Sequence, residues 1–511
     1  MAVLSSTFTY LTALSSLLSL PAVLAQTSIF TPEPEPFSCP LPETSLHGDL
    51  TCDLSEIAPR PSHPDIFRPW THEPHCIHPA EKPLLGFCTF TNADFMGGRG
   101  ISIVTLPELA ASMANRTQMA STAADASAAD AYAFDKVFPR KKYEEKLTAD
   151  RGRGLFVREG ESFKAGETIL VDYPTLFMVR DSMEVFLPEE RIRMNWLGLL
   201  QLPDAGRAET RDMVSNGRYK DELDNLITMN SLGVQYANFR HLGTFPEAAK
   251  MNHDCVPNTY YRFSDTTLGV EVFALRDIKP GEELTYSYVD GLQEIPYKDR
   301  HKLIGSQFNF ECTCRICRDT AARRESNRRR DNIRKAKKVL SESAEDPRAI
   351  VAQCKKLLRL YGDEGMVLPR PMTAEIAAYA SNQLGEAEEA VKYAKIAREY
   401  WSIISGPASS EVKRLDELIA APTEHGSYKP KAGEGEGKTG AGAKTGNAGG
   451  DEDEDVGEEE EEEAVVDAVR SAMLRARRIA RESGVGEKEE EELVEQAVKA
   501  ALKRAMGKDE L

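Results

Sequence analysis

Met251-Asn252-His253-Asp254-Cys255-Val256-Pro257-Asn258 opens the stretch around which the rest of the chain is organised. Its middle reads Gly281-Glu282-Glu283-Leu284-Thr285-Tyr286-Ser287-Tyr288, and it closes on Cys312-Thr313-Cys314-Arg315-Ile316-Cys317. The closing motif packs three thiols into six residues. Zinc takes four ligands in a tetrahedron, so a further donor is needed nearby. Cys255 is the candidate, as the cysteine of the preceding β-rich block. Free buried thiols or a disulfide are the alternatives, although three clustered cysteines cannot all pair with one another. Between the motifs, Val270-Glu271-Val272-Phe273-Ala274 has the length and composition of a strand, and Lys279-Pro280-Gly281 turns it back. Leu284, Tyr286 and Tyr288 then alternate onto one face.

Upstream, Gly154-Leu155-Phe156-Val157 and Thr168-Ile169-Leu170-Val171 are short apolar runs separated by the turn Lys164-Ala165-Gly166-Glu167. Met183 to Phe239 reads as a helical insertion. Downstream the period changes from 2 to 3.6. Ile350, Cys354, Leu357 and Tyr361 fall at helical spacing, as do Val412, Leu415 and Ile419. Val391 to Ile404 is a further helix, stopped by Gly406-Pro407.

Four motifs stand in one order. Residues 139–317 resemble the SET-domain lysine methyltransferases through Arg151-Gly152-Arg153-Gly154-Leu155-Phe156, the Asn252–Asn258 box, the Gly281–Tyr288 box and the Cys-x-Cys-x2-Cys of a post-SET segment. Asp254 departs from the family box, which has serine there. The later helices resemble the tetratricopeptide-like domain of the SET-and-MYND subgroup. The MYND finger that splits the SET domain in that subgroup is missing, because residues 180–240 hold no cysteine. The expected fold is α+β: a β-rich SET fold with a helical insertion and a post-SET zinc segment, then an α-helical TPR-like domain. The expected divisions are a signal peptide over 1–25, a Cys/Pro-rich module and linker over 26–138 and a SET domain over 139–290. A post-SET zinc segment over 291–320 and a TPR-like domain over 321–420 follow. A disordered Gly-rich and acidic linker over 421–463 leads to a helical tail over 464–511.

The resemblance implies an S-adenosylmethionine-dependent protein-lysine N-methyltransferase, whose substrate is the lysine side chain of a protein. Nucleophile and methyl must be aligned and the amine deprotonated, and a desolvating channel lowers a lysine pKa from its usual value of about 10.4. Tyr288 is the implied catalytic tyrosine at the point of methyl transfer. Arg151, Arg153, Asn252, His253 and Phe310 are implied to bind the cofactor, with Phe310 packing on the adenine ring. Tyr286 and Phe308 are implied to line the substrate channel. Cys255, Cys312, Cys314 and Cys317 are the implied ligands of a structural zinc. The alternative is a non-catalytic SET/TPR-like module that binds partners in the secretory pathway.

The remaining features bear on place and partners. The formal charge is −18 and the run Asp451 to Glu463 carries eleven acids, so the rest of the chain is near −7. A net negative body does not indicate nucleic-acid binding. The basic cluster Arg323 to Lys338 reads as a solvated helix interrupted by acids. No apolar run after the N-terminus reaches the ~20 residues of a membrane span. Leu11 to Leu24 reads as the apolar region of a signal peptide, and Lys508-Asp509-Glu510-Leu511 as an endoplasmic-reticulum retrieval tetrapeptide. With the sequon Asn115-Arg116-Thr117 these point to the endoplasmic-reticulum lumen, with the nucleus or cytoplasm as the alternative. Cys39, Cys52, Cys76 and Cys88 are an even, loosely spaced set, as in disulfide-bonded modules, and three pairings are open.

Overall fold

A computed structural model describes residues 67–77, 86–121 and 141–430, apart from positions 181, 183–185, 216, 218, 290, 292–293 and 344–345. The expected signal peptide, the acidic run, the helical tail and Cys39 and Cys52 lie outside the described residues.

Three sheets carry the first half. The largest is built from β1 (His75–Ile77), β2 (Phe87–Asn92), β3 (Ile101–Thr105), β7 (Leu176–Val179), β8 (Ser231–Tyr236) and β9 (Phe239–Thr244), in the order β1-β2-β3-β7-β9-β8. The part of residues 26–138 that is described is therefore not a separate loop-rich module. Its strand β3 runs parallel to β7, with Ser102 opposite Leu176 and Val104 opposite Met178. Every residue of β2 and β3 is buried, so neither strand shows the alternation that marks a strand with one wet face. Helix α1 (Pro107–Ser121) follows β3 and places Met113 in the same core as Phe90, Ile101 and Ile103. Cys76 and Cys88 stand opposite each other across β1 and β2 and form a disulfide.

The second sheet holds the opening motifs. It contains β4 (Tyr143–Thr148), β5 (Gly152–Val157), β10 (Asn252–His253) and β13 (Glu283–Tyr286), in the order β10-β13-β5-β4. The third has β6 (Thr168–Asp172), β11 (Thr259–Phe263) and β12 (Val270–Ala274), in the order β11-β12-β6. The turn before β13 needs Gly281, whose φ of 76° is open to a glycine at no steric cost. Leu284 and Tyr286 are buried in the core shared by the sheets.

The insertion is helical only as far as Asn230. It comprises α2 (Pro188–Gln201), α3 (Asp204–Arg211) and α4 (Glu222–Asn230). Asp221 caps α4 by accepting from the Asp224 amide at 2.8 Å. Buried Asp224 takes Arg191 at 2.6 Å and Asn195 at 3.2 Å, which locks α2 to α4. Residues 231–239, expected to be helical, form β8 and the turn into β9. Leu232, Val234 and Tyr236 alternate inward, a period-2 signal that was too short to stand out beside the helical pattern before it.

After α5 (Tyr297–Phe308) and a single helical turn at Arg315–Arg318, five longer helices finish the described chain: α6 (Thr320–Glu342), α7 (Pro347–Glu364), α8 (Arg370–Gln383), α9 (Ala387–Ile404) and α10 (Ser410–Ala420). Each packs on the next. The predicted apolar stripe of Ile350, Cys354, Leu357 and Tyr361 is buried, and Ala374, Ala377, Ala394 and Ala397 let α8 and α9 approach closely. Asp319 and Ser409 cap α6 and α10. The basic cluster on α6 is not wholly solvated. Arg330 is fully buried against the fully buried carboxylate of Glu364 at 2.9 Å, since helix packing turns this one position inward. Among the described residues no helix is long and apolar enough to cross a membrane.

Candidate active site and thiolate centre

The Asn252–Asn258 box folds into a loop threaded beside β13. Strand β10 runs parallel to β13, with Asn252 opposite Thr285 and His253 opposite Tyr286. Asn258 ties the far end down. Its amide donates to Glu283 O at 2.8 Å, and its carbonyl accepts from Thr285 N at 2.8 Å and the Thr285 hydroxyl at 3.1 Å. Asp254 takes the usual place of a short hydroxyl by accepting from the Val256 amide at 2.8 Å. Burial pushes its carboxyl up to about 7.

A cavity of about 350 Å³ lies over this loop, within the ordinary size range of small-molecule sites. Arg151, Arg153, Asn252, His253, Phe310 and Phe308 all line it, as does Tyr288. Tyr286 is not among the lining residues. It is buried in the core, with its ring centroid 4.9 Å from Tyr288 and 6.5 Å from Tyr261. The strand alternation that points Tyr286 inward ends before Tyr288, which leaves the strand and turns to the cavity. The Tyr288 ring centroid lies 5.1 Å from that of Phe308 and 6.1 Å from that of Phe310, so the three rings pack together. The Tyr288 hydroxyl donates to Met251 O at 3.0 Å. Burial holds the phenol above its usual pKa, so it stays a neutral O–H donor.

The side chains of the cofactor box are occupied with holding one another. The Asn252 amide donates to Arg153 O at 2.9 Å and to Glu283 Oε1 at 2.8 Å. Arg151 pairs with Glu283 Oε2 at 2.7 Å and also donates to His253 O. Arg153 reaches Asp212 at 2.7 Å and Glu145 at 3.0 Å. Gly154 is needed because a Cβ there would stand 2.7 Å from Glu283 Oε1 and 2.8 Å from Asn252 Nδ2. Main-chain groups of the loop thus remain for a ligand. The sequence reading missed Glu283, which takes both Asn252 and Arg151. It also missed Met213, Val214 and Met229, which the insertion contributes to the cavity wall. Glu283 could have been found as the acid of its motif, whereas nothing in the spacing marks the other three.

Beneath the cavity floor, Cys255, Cys312, Cys314 and Cys317 are buried free thiols whose Sγ atoms lie within 4.8 Å of one another. Cys255 is 3.6 Å from Cys317 and 3.9 Å from Cys312. A tetrahedral zinc with Zn–S of about 2.3 Å has sulfur–sulfur edges of about 3.8 Å, so the set fits such an ion. His253 joins this centre to the cavity. Its Nδ1 accepts from Tyr288 N at 3.1 Å, and its Nε2 is 3.4 Å from Cys255 Sγ. Burial pulls the imidazole down to about 4, so it is neutral. With Nδ1 accepting, the proton sits on Nε2 and is offered to the sulfur.

Residues 152–289 match the SET domain family model. The N-lysine methyltransferase SMYD2 of Gallus gallus is 37% identical over 93 residues, which is 18% of this chain and 20% of that protein. The protein-lysine N-trimethyltransferase SMYD5 of Mus musculus is 38% identical over 104 residues, 19% of this chain and 25% of that protein. The histone-lysine N-methyltransferase set5 of Schizosaccharomyces pombe is 25% identical over 187 residues, 36% of this chain and 58% of that protein. The chain therefore spans between a fifth and three fifths of the length of these relatives. Residues 152–289 are a SET domain, and these relatives, to which the chain is similar, are named as lysine methyltransferases.

Proposed function

We propose that this chain is an S-adenosylmethionine-dependent protein-lysine N-methyltransferase acting at Tyr288. One observation carries the reading: a single cavity gathers Tyr288, Phe308, Phe310, Asn252, His253, Arg151 and Arg153 from four separate stretches of sequence. The cofactor supplies an electrophilic sulfonium methyl group. Main-chain groups of Asn252 and His253 and the ring of Phe310 hold it, with Arg151 and Arg153 at its charged end. Arg153 has first to exchange one of its present carboxylate partners, Asp212 or Glu145, for a ligand carboxylate. Phe308 and Tyr288 form an apolar surround that strips water from the incoming amine and favours its neutral form. The neutral Tyr288 hydroxyl orients that amine for attack. Cys255, Cys312, Cys314 and Cys317 hold a structural zinc, which fixes the post-SET segment, and with it Phe310, over the cavity.

Incubating the full chain with methyl-labelled S-adenosylmethionine and a panel of lysine-bearing proteins tests the reading. Label on lysine supports it. A chain that neither binds the cofactor nor transfers label refutes it in favour of a non-catalytic binding module.

We infer also that the chain works in the secretory pathway. The Cys76–Cys88 disulfide supports this, since oxidising compartments preserve such bonds. So does the exposure of Asn115 on α1, which leaves room for a glycan. An internally tagged chain should carry an endoglycosidase-sensitive glycan lost in Asn115→Gln, whereas an unglycosylated nuclear or cytosolic chain contradicts the inference.

A further inference from the structure

The helical region touches the thiolate centre through buried charge. Arg300 of α5 is 1% exposed. Its Nη1 donates to Ile295 O at 2.6 Å and its Nη2 reaches Cys317 Sγ at 3.7 Å. No carboxylate pairs with it among the described residues, and its Nε has no partner. A buried guanidinium without a counter-charge is strongly destabilising, so a negative group must face it. The sulfurs are the group it faces. Arg330 of α6 is likewise buried, and donates through Nη2 to Cys255 O at 3.4 Å. It shares Glu364 with Arg329, which is 2.6 Å from the other carboxylate oxygen. Ser326 completes the cluster through its hydroxyl on Glu364.

A zinc ion held by four thiolates carries two negative charges. With Glu364 that makes three, set against the buried guanidiniums of Arg300 and Arg330 and that of Arg329, which Glu364 shares with the more exposed Glu325 at 3.1 Å. We propose that this cluster is the counter-charge of the zinc centre, and that Arg330 makes α6 and α7 a positioning element for the cofactor loop through Cys255 O. The proposal rests on the reading of the four cysteines as a zinc site. Uncompensated, the doubly negative centre would sit in a low-dielectric interior and lose metal. Compensated, it is retained, and zinc retention depends on helices outside the SET domain.

The test is zinc release from the full chain to a chromogenic chelator, with metal content read first by mass spectrometry. One zinc per wild-type chain is expected, and none overturns the zinc reading together with the proposal. With zinc present, Arg300→Met should release it about 10- to 100-fold faster, the usual effect of removing a partner of the ligands. Arg300→Lys, which keeps the charge, should stay within about 3-fold of wild type. Arg330→Gln should release zinc faster than wild type, and the double variant Arg330→Gln/Glu364→Gln, which restores the balance, should lie nearer wild type than the single. Circular dichroism restricts the comparison to folded variants, and Arg300→Lys and the double variant keep the test open if Arg300→Met fails to fold. Zinc bound normally and released from Arg300→Met or Arg330→Gln at the wild-type rate overturns the proposal while leaving the zinc site standing. A double variant that loses zinc faster than Arg330→Gln overturns it too.

Discussion

Gly154→Ala is a small change with a calculable consequence. The added Cβ would stand 2.7 Å from Glu283 Oε1 and 2.8 Å from Asn252 Nδ2. Neither atom is free to retreat. Asn252 Nδ2 donates to Glu283 and to Arg153 O, and the other oxygen of Glu283 is paired to Arg151 at 2.7 Å. Clearing the overlap breaks one neutral hydrogen bond, worth about 1 kcal/mol, and one to a charged group, worth about 1.5–3 kcal/mol. Roughly 3 kcal/mol is at stake where the cofactor loop meets β5. Taken from binding, that is up to about 100-fold in affinity. Calorimetry should show S-adenosylmethionine held about 10- to 100-fold more weakly than by wild type. Gly160→Ala is the control. Its φ of 80° is strained for alanine, but nothing lies within 4 Å of its Cβ, so it should lose stability by about 1–3 kcal/mol and keep its affinity. A Gly154→Ala chain that binds as tightly as wild type would refute the assignment of this loop.

Other perturbations have equally definite outcomes. Asn258→Ala removes three hydrogen bonds from a buried position and should cost about 3 kcal/mol, read as a lowered urea midpoint at unchanged slope. Phe310→Ala should weaken S-adenosylmethionine binding by about 1–3 kcal/mol, the value of stacking on a base, with a smaller effect on the rate at saturation. Cys314→Ser should bind less than one zinc per chain and lose cofactor binding with it, seen by metal analysis and calorimetry. Cys88→Ser opens a link of sequence separation 12 and should lower stability by about 2–3 kcal/mol, measured by chemical denaturation in non-reducing buffer.

The site was legible in the sequence because its chemistry is local. Three of the thiolates lie within six residues, and the Asn252–Asn258 loop brings the fourth as it threads beside β13. Tyr288 and the two phenylalanines likewise sit in motifs whose spacing is visible without a fold. What escaped depends on long-range packing. Strands β2 and β3 are buried throughout, so they show no alternation, and only pairing with β7 reveals them as part of the main sheet. Arg330 looks like its charged neighbours on α6 until Glu364 arrives from α7. Tyr286, which the resemblance implies for the channel together with Phe308, is buried in the core on the same strand face as Leu284. Met213, Val214 and Met229 reach the cavity only through the packing of the insertion.

The most direct test of the account compares wild type and Tyr288→Phe in two measurements on the same preparations: the affinity for S-adenosylhomocysteine and the single-turnover rate of methyl transfer to a protein lysine. The hydroxyl donates to Met251 O rather than to a cofactor-binding side chain. Its loss should therefore leave the affinity within about 3-fold while slowing transfer by about 100- to 1,000-fold, as removing one positioned hydrogen-bonding group does. Transfer at the wild-type rate in Tyr288→Phe would contradict the account.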